Sequence, residues 1–272
     1  MHELNPTDEL IYLPNGIVIL QNQFLSSTNL VIHATSTRCG GYSQGEFGTL
    51  NLGLSTGDNT DLVYQNRAKF FNALGIATER VIYAQQIHSN HTTTINEENL
   101  SLLMKSDMQR IPATDSMVTK LRNVPMAILT ADCFPIFILD TLTPTIGLAH
   151  AGWRGTKKHM AMKTVRTMQK EFDTKPDHCF AWISAGIGVC CYQVGEEIRK
   201  EFMGEYGSKI DPIKEDNLDL AAINRYQLEM VGIPASSIFV SSYCTQHDSE
   251  WFYSYRRTGI RSGRMASIFM LK

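Results

Sequence analysis

Three residues whose side chains bind transition metals lie far apart in the sequence but in similar surroundings. His88, Cys133 and His150 each come soon after a short apolar segment. Those segments have the composition of buried strands and cover residues 81–84, 126–129 and 145–149. Reactive side chains at the ends of buried strands are held on a rigid frame. We therefore predict that the three residues form one site.

This set of donors fits zinc, which takes imidazole nitrogen and thiolate sulfur in tetrahedral geometry. A structural zinc site usually closes with four protein ligands, whereas a catalytic site keeps three and leaves the fourth position for water. The sequence offers no clear fourth ligand and no Cys-x-x-Cys pair. The prediction is a catalytic zinc ion on His88, Cys133 and His150, which lowers the pKa of its bound water toward ~7. Copper is a plausible substitute, because it competes with zinc for nitrogen and sulfur ligands.

The same side chains support a second hypothesis that needs no metal. A neighbouring imidazole activates a cysteine thiolate as a nucleophile. Cys133 would then attack the substrate, His150 would act as its base, and Asp132 or Asp115 would orient the histidine. This arrangement predicts a cysteine-type hydrolase. The third and simplest interpretation is that Cys133 only packs in the core, since a free cysteine is most often a buried core side chain.

Arginine residues in glycine-rich or aromatic surroundings are candidates for binding an anion. A guanidinium group matches the geometry of phosphate or carboxylate, and glycine turns add backbone amides. Arg38 lies in the loop 38–45, Arg154 lies in the segment 152–157, and Arg256 follows an aromatic run. A single arginine more often forms a surface ion pair of little energetic value. The segment 152–157 also lacks the spacing of a Walker phosphate-binding loop.

Composition and charge limit the class of protein. The chain has 272 residues, 43% of them hydrophobic and 19% charged, which is typical of a globular protein. With 25 basic and 27 acidic residues the net charge is −2, so there is no electrostatic bias toward nucleic acid. No apolar run approaches the ~20 residues that span a bilayer, and residues 1–9 lack the features of a signal peptide. Six scattered cysteines favour reduced thiols, so we expect a soluble cytoplasmic enzyme.

The order of the predicted elements indicates one domain of the α/β class. Strand-like and helix-like segments alternate, and helices are predicted over residues 61–74, 156–172 and 218–231. No internal repeat, low-complexity tract or long linker divides the sequence. We therefore treat residues 1–272 as a single domain, in which residues 1–16 form a loose N-terminal extension.

Several motifs together resemble a known family. The most specific are Thr-Ala-Asp-Cys at 130–133 and His-Ala-Gly-Trp-Arg-Gly at 150–155. Further matching segments cover residues 35–41, 50–53, 86–89, 115–119, 187–195 and 252–257. From about residue 17 onward the chain resembles the YfiH-like family, also called the multicopper polyphenol oxidase (laccase) or peptidoglycan editing factor family. At 184–189 it has Ser-Ala-Gly-Ile-Gly-Val where the family usually has Gly-Pro-Ala-Ile-Gly-Pro, and Gln193 replaces a usual glutamate.

The resemblance implies a fold, a metal and an activity. The family fold is a single α/β domain in which mixed β-sheets pack centrally with helices outside. Its members are regarded as zinc-dependent purine nucleoside phosphorylases, and the residues that match His88, Cys133 and His150 bind zinc. The implied reaction is phosphorolysis of adenosine, inosine, guanosine and methylthioadenosine, with some deamination of adenosine. Purine nucleosides and phosphate are thus the expected partners, and no oligomeric state is predicted.

Roles for other residues follow from that reaction. Phosphate must lie beside the anomeric carbon, and guanidinium groups match its geometry. We predict a phosphate and substrate site built from Arg38, Asn51, Arg154 and Arg256. Asp132 or Asp115 is the predicted proton carrier.

Three other functions stay open at this point. A bacterial relative is linked to editing of cytoplasmic peptidoglycan precursors, a reaction that would use Cys133. Copper-dependent oxidation of phenols is disfavoured, because multicopper centres need clustered histidines and none of the eight histidines forms a His-x-His pair. The third open function is non-enzymatic, namely binding of a metal without catalytic turnover.

Overall fold

A computed structural model describes residues 8–105 and 110–272, in which strands and helices alternate. The strands are β1 (Asp8–Tyr12), β2 (Val18–Asn22), β3 (Val31–Ser36), β4 (Ile82–Ala84), β5 (Thr92–Ile95), β6 (Arg110–Ile111), β7 (Ser116–Thr119), β8 (Met126–Thr130), β9 (Phe134–Asp140), β10 (Thr145–Ala151), β11 (Cys179–Ile183), β12 (Ile213–Lys214), β13 (Asn217–Leu218), β14 (Ile238–Val240) and β15 (Met265–Leu271). The α-helices are α1 (Gln23–Ser27), α2 (Thr60–Ala73), α3 (Glu97–Lys105), α4 (Trp153–Lys157), α5 (Met160–Phe172), α6 (Glu196–Tyr206), α7 (Leu220–Met230) and α8 (Tyr255–Thr258).

Two large mixed sheets form the centre of the protein. The first has seven strands in the order β1-β2-β3-β15-β8-β4-β6, and the second has six in the order β14-β11-β9-β10-β7-β5. Neighbouring strands are mostly antiparallel, but β4 runs parallel to β6 and β8, β5 to β7, and β11 to β14. The short ribbon β12-β13 belongs to neither sheet. This architecture confirms the predicted α/β fold with central mixed sheets.

The two large sheets pack face to face, and the alternation of side chains along each strand explains why both faces are apolar. All seven residues of β9 are buried. Phe137 joins Trp182 and Phe269 in the core between the sheets. Its neighbours in β9, Ile136 and Ile138, belong to a second core on the opposite face of the sheet.

Helices cover the two outer faces. Val165 of α5, Phe202 of α6 and Leu228 of α7 are buried against the second sheet. Phe70 and Phe71 of α2 are buried against the first sheet. The order of layers is therefore helix, sheet, sheet, helix, as expected for two apolar sheets that must each be covered on both sides. Across the described residues, no helix combines the length and the apolar composition needed to cross a bilayer.

The described part of the N-terminus is ordered as an edge strand, which corrects one prediction. All five residues of β1 pair with β2 in antiparallel register. The turn between them ends at Gly16, whose φ of 82° is readily adopted only by glycine. The prediction of a loose extension over residues 1–16 is wrong for this hairpin, because β1 pairs with β2 along its whole length. Residues 1–7 lie outside the described residues.

The connection between the two sheets positions the candidate site. Strand β8 lies in the first sheet and β9 in the second, and Cys133 is in the short link that joins them. His88 follows β4 of the first sheet, and His150 lies near the end of β10 in the second. The three residues therefore approach one another at an edge where both sheets end.

Candidate metal centre and its cleft

His88, Cys133 and His150 converge as predicted. One donor atom from each lies within 4.8 Å of the other two. The rings of His88 and His150 meet edge to face, with centroids 4.9 Å apart. His150 is buried, Cys133 is half-buried and His88 is exposed, so the cluster opens to solvent on one side.

Asp115 holds both histidines in place. Its Oδ1 accepts a hydrogen bond from Nδ1 of His150 at 2.9 Å and one from the backbone N–H of His88 at 3.0 Å. Its Oδ2 accepts from the backbone N–H and the hydroxyl of Ser89, both at 2.7 Å. Because an ionised carboxylate only accepts, Nδ1 of His150 must carry the proton. The nitrogen left for a metal or for Cys133 is therefore Nε2.

Charge pairing sets the ionisation of these groups. Burial alone would raise the pKa of Asp115, but hydrogen bonds from His150 and Ser89 outweigh it and hold that pKa well below its usual range. Burial would also raise the pKa of Cys133, yet the charge of His150 and hydrogen bonds from both histidines lower it to about 6. The pKa of His150 rises to about 9, since attraction to Cys133 and Asp115 outweighs burial. The sulfur is therefore already in the thiolate form that binds metals.

The residues fit a zinc ion in donor chemistry and in the space around them. Two imidazoles and one thiolate form the mixed set that zinc accepts, and the solvent-facing side leaves a position open. Only glycine fits at position 152 beside these side chains, because a Cβ there would lie 2.6 Å from Sγ of Cys133. Of the metal-binding clusters that the described residues form, none contains more than two histidines. That pattern differs from the clustered histidines of a multicopper centre.

The backbone is strained at two positions of the site. His88 has a φ of 58° and Asp132 a φ of 87°, in the left-handed region that glycine favours. Such a conformation costs ~1–3 kcal/mol and persists only where the surroundings fix it. The N–H of His88 is fixed by Asp115, and the carbonyl of Asp132 accepts from the N–H of Ile187 at 2.8 Å. No glycine or proline marks these positions in the sequence.

A cavity of about 740 Å³ opens beside the three metal-binding residues. Aromatic residues and arginines line much of it, namely Trp153, Tyr192, Tyr255, Arg110, Arg154, Arg256 and Arg264. This volume lies within the ~300–1,000 Å³ range of small-molecule sites. Arg110 and Arg264 were not among the predicted site residues.

Two of the predicted arginines lie in this cleft. The guanidinium of Arg154 stacks on Trp153 at 4.4 Å and, within the described residues, makes no hydrogen bond or ion pair. Arg256 stacks on Tyr192 at 5.0 Å and donates one hydrogen bond to the carbonyl of Gln193 at 2.8 Å. Arg154 therefore keeps its donors available for an anion.

Arg38 lies outside the cleft, which corrects its predicted role. Its guanidinium donates to the carbonyl of Gly48 at 3.0 and 2.8 Å and to the carbonyl of Ser249 at 3.1 Å. It also stacks on the ring of Tyr253 at 4.9 Å. The group connects two loops with three of its five N–H donors, and it does not line the cavity, so it does not face the place proposed for phosphate.

Asn51 does not line the cavity either. It is fully buried, and its side-chain amide donates to Thr56 and Asp58, both at 2.9 Å. Its oxygen accepts from the backbone N–H of Arg264 at 2.9 Å. Asn51 therefore supports a cleft arginine from behind and does not contact the cavity, contrary to the prediction.

Asp132 lies at the cleft with both carboxylate oxygens engaged. Oδ1 accepts from the hydroxyl of Thr245 at 2.7 Å, and Oδ2 accepts from the backbone N–H of Arg256 at 2.6 Å. The residue therefore connects the loop of Cys133 to the start of α8. Proton transfer by Asp132 stays a prediction.

The lowered pKa of Cys133 leads to a measurable pH dependence in metal-free protein. After removal of metal with a chelator, we expect alkylation of Cys133 by iodoacetamide to rise with a midpoint near pH 6, because the thiolate forms above its pKa of about 6. Peptide mass spectrometry would follow the reaction. Cys39 is the internal control, since burial raises the pKa of its thiol. A midpoint for Cys133 at or above that of Cys39 would contradict the thiolate–imidazolium pair.

Comparison with known proteins shows the family and the fold. A curated "Purine nucleoside phosphorylase" of Bacteroides thetaiotaomicron is 30% identical over 259 residues, which cover 93% of this chain and 96% of the relative. The curated "Adenosine deaminase RL5" of an unknown prokaryotic organism is 30% identical, with 79% and 84% covered. The crystal structure of YlmD from Geobacillus stearothermophilus superposes with a TM-score of 0.88 at 28% identity, with 97% and 99% covered. The model of the family described as "Multi-copper polyphenol oxidoreductase laccase" matches residues 32–272, and the chain belongs to that family.

Proposed function

We propose that this chain is a zinc-dependent purine nucleoside phosphorylase of the cytoplasm. It cleaves adenosine, inosine, guanosine and methylthioadenosine with phosphate, and it deaminates adenosine as a side activity. The observation that carries the proposal is that the His88, Cys133 and His150 cluster opens into a cleft that also holds arginines and aromatic rings. The names of the curated relatives, which include both activities, support the same assignment.

The aromatic residues of the cleft are the proposed contacts for the purine. Trp153, Tyr192 and Tyr255 all line the cavity, and their flat faces can stack on a flat base. Tyr192 is also packed under Arg256, so its ring is held in a fixed orientation. Stacking of this kind binds every purine in a similar way, which fits the four proposed nucleosides.

Phosphate is proposed to bind at the arginines beside the metal-binding cluster. Arg154 is four residues after His150, and its guanidinium is held over Trp153 with its donors free of described partners. The backbone N–H of Arg256 donates a hydrogen bond to the carboxylate of Asp132. This bond keeps the side chain of Arg256 near the same cleft. His88, Cys133 and His150 would hold the zinc ion, which when bound would supply Lewis-acid charge stabilisation beside the arginines. The hydrogen bonds that the carboxylates of Asp115 and Asp132 accept hold the surrounding residues in place.

Phosphate dependence of base release tests the proposal directly. Purified protein with a measured zinc content is incubated with adenosine, with and without phosphate, and the products are separated by chromatography. We expect adenine and ribose 1-phosphate only when phosphate is present, and a smaller amount of inosine in both samples. Inosine as the sole product would reduce the function to deamination. No product from any of the four nucleosides, in protein that contains zinc, would contradict the proposal.

Replacing Arg154 tests the phosphate site. In Arg154→Met we expect the KM for phosphate to rise ~10–100-fold, because each lost charge-assisted hydrogen bond costs ~1.5–3 kcal/mol. Steady-state rates at varied phosphate would measure it, and zinc content is expected to stay unchanged. Arg166→Met is the matched control, since Arg166 is an exposed arginine of α5. Equal KM values for the two variants would exclude Arg154 from phosphate binding.

A cysteine-type hydrolase is the second candidate, and the proximity of Cys133, His150 and Asp115 supports it. Cys133 pairs with His150, and Nδ1 of His150 bonds to Asp115 at 2.9 Å. This is the arrangement of nucleophile, base and orienting group. Peptidoglycan precursors are the substrates to try first. Activity that survives a chelator and is lost on alkylation of Cys133 would favour this candidate over the zinc enzyme.

A further inference from the structure

A second cluster of metal-binding side chains lies outside the centre described above. The sulfur atoms of Cys190, Cys191 and Cys244 all lie within 4.8 Å of one another. The Sγ atoms of Cys190 and Cys191 are 3.5 Å apart. All three cysteines are free. The proposed phosphorolysis uses none of them.

The backbone brings these cysteines together. Cys190 and Cys191 lie in the turn after β11, where the N–H of Cys191 donates to the carbonyl of Gly188 at 3.0 Å. Cys244 lies in the loop after β14, which is fixed by a bridge to Gly186. A Cβ on Gly188 would come within 3.2 Å of Cβ of Cys244 and 3.3 Å of Sγ of Cys190. The glycine therefore allows the two loops to approach closely enough for the sulfur atoms to meet.

The donor set selects the kind of ion. It consists of three sulfurs with no imidazole or carboxylate in the cluster, and soft thiolates favour soft ions such as Cu(I). Thiolates that share one metal at ~2.3 Å lie ~4 Å apart. The sulfurs of Cys190 and Cys191 are 3.5 Å apart, and all three sulfurs lie within 4.8 Å of one another, so small side-chain movements bring them to that spacing. Zinc usually takes four protein ligands at a structural site, so a set of three sulfurs fits it less well.

Burial and the proximity of the other sulfurs raise the pKa of Cys190 to about 12, and burial also raises that of Cys191. Two neighbouring groups favour a thiolate at Cys244. The backbone N–H of Gly188 donates to Sγ of Cys244 at 3.2 Å. The guanidinium of Arg257 lies close enough to Cys244 to attract its thiolate. Cys190 is exposed while Cys244 is buried, so an ion can enter from solvent and be held against the protein interior.

We propose that Cys190, Cys191 and Cys244 form a second metal site, which binds a single Cu(I) ion. Three S–H bonds break and three S–Cu bonds form, with the protons released to solvent. The copper arrives as Cu(I) and leaves as Cu(I), so no electron is transferred. This site is separate from the zinc centre, which it neither shares ligands with nor requires.

The proposed copper site would stiffen the wall of the substrate cleft. Tyr192 follows Cys191 directly and lines the cavity. Thr245 follows Cys244 and binds the carboxylate of Asp132 at 2.7 Å. An ion that joins Cys191 to Cys244 would therefore fix the distance between two loops that both reach the cleft.

A competition titration tests the site. Reduced protein is titrated anaerobically with Cu(I) in the presence of bicinchoninate, a chromogenic Cu(I) chelator. Wild type is loaded with zinc beforehand, whereas Cys133→Ser is used as purified because it lacks a ligand of the zinc centre. We expect wild type and Cys133→Ser each to bind one Cu(I) per chain that bicinchoninate does not remove. We expect Cys190→Ser and Cys191→Ser to bind it at least ~100-fold more weakly, since losing a ligand should exceed the ~10–100-fold cost of losing an outer-shell partner. Cys179→Ser, which removes a buried cysteine outside the cluster, is the matched control and should behave as wild type.

Three results would overturn the proposal. One is equal Cu(I) retention by wild type and Cys190→Ser, a variant at an exposed position that should fold normally. Another is loss of the ion in Cys133→Ser, which would place it at the zinc centre. The third is a reduced wild-type chain, with all six thiols confirmed by mass, that withholds no Cu(I) from bicinchoninate.

Discussion

Replacing Cys133 with serine is expected to remove zinc and to lower kcat/KM for phosphate-dependent cleavage of adenosine by at least ~1,000-fold, which is ~4 kcal/mol of transition-state stabilisation. The physical reason is that the serine hydroxyl is not ionised at neutral pH, whereas the thiol of Cys133 has a pKa of about 6 beside His150. Zinc per chain and initial rates of adenine release, measured on the same preparation, check both parts of the expectation.

A matched control is available in the same chain. Cys179 is a buried free cysteine in β11 that belongs to neither metal-binding cluster. Cys179→Ser should therefore keep its zinc and its activity, even if it is less stable. A Cys133→Ser protein that is free of zinc and still fully active would contradict the zinc mechanism. Loss of zinc in both variants would point to general unfolding.

In Asp115→Asn we expect zinc affinity to fall ~10–100-fold, because groups that orient a metal-binding histidine are worth that much. Asp115 accepts from Nδ1 of His150 and from the backbone N–H groups of His88 and Ser89. An asparagine keeps one acceptor oxygen and brings an NH₂ group toward these donors, which lowers the free energy of unfolding by ~1–3 kcal/mol. Competition with a chromogenic zinc chelator measures the affinity, and excess zinc should restore much of the activity.

Asp140→Asn is the control that separates the effect of Asp115→Asn on zinc affinity from its effect on stability. Asp140 is also fully buried, but it lies at the far end of β9, where it accepts from the N–H groups of Leu142 and Thr143 at 3.0 Å. This variant should lose stability and keep wild-type zinc affinity. If Asp115→Asn binds zinc as tightly as Asp140→Asn does, Asp115 would have no part in orienting His150.

The metal-binding cluster could be predicted from sequence because each ligand lies at or after the end of a buried strand, His150 within the last two residues of β10. Apolar segments are visible in a sequence, and the ends of neighbouring strands lie at the same edge of a sheet. The helices were predicted for a similar reason, and α2 and α7 begin and end within two residues of the predicted bounds. The predicted helix at 156–172 is instead divided into α4 and α5 by His159, whose φ is 59°. No glycine or proline marks that break in the sequence.

The anion-binding residues could be predicted only in part, because their partners lie far away in the chain. Arg38 and Arg154 both stand beside glycines. What separates them is that the carbonyls of Gly48 and Ser249 occupy the guanidinium of Arg38. Ser249 is 211 residues away, so no local pattern carries that information. Arg110 was missed for the same reason, since only the packing of the sheets brings it to the cleft.

The position of β15 in the first sheet determines when the protein can finish folding. This strand lies between β3 and β8, and it pairs Ser267 with Thr35 across the sheet. While a ribosome makes the chain, the facing edges of β3 and β8 stay unpaired until β15 has emerged. Unpaired edges are prone to association, and such distant pairing slows folding. Two strand edges are therefore open to association until β15 pairs with both of them.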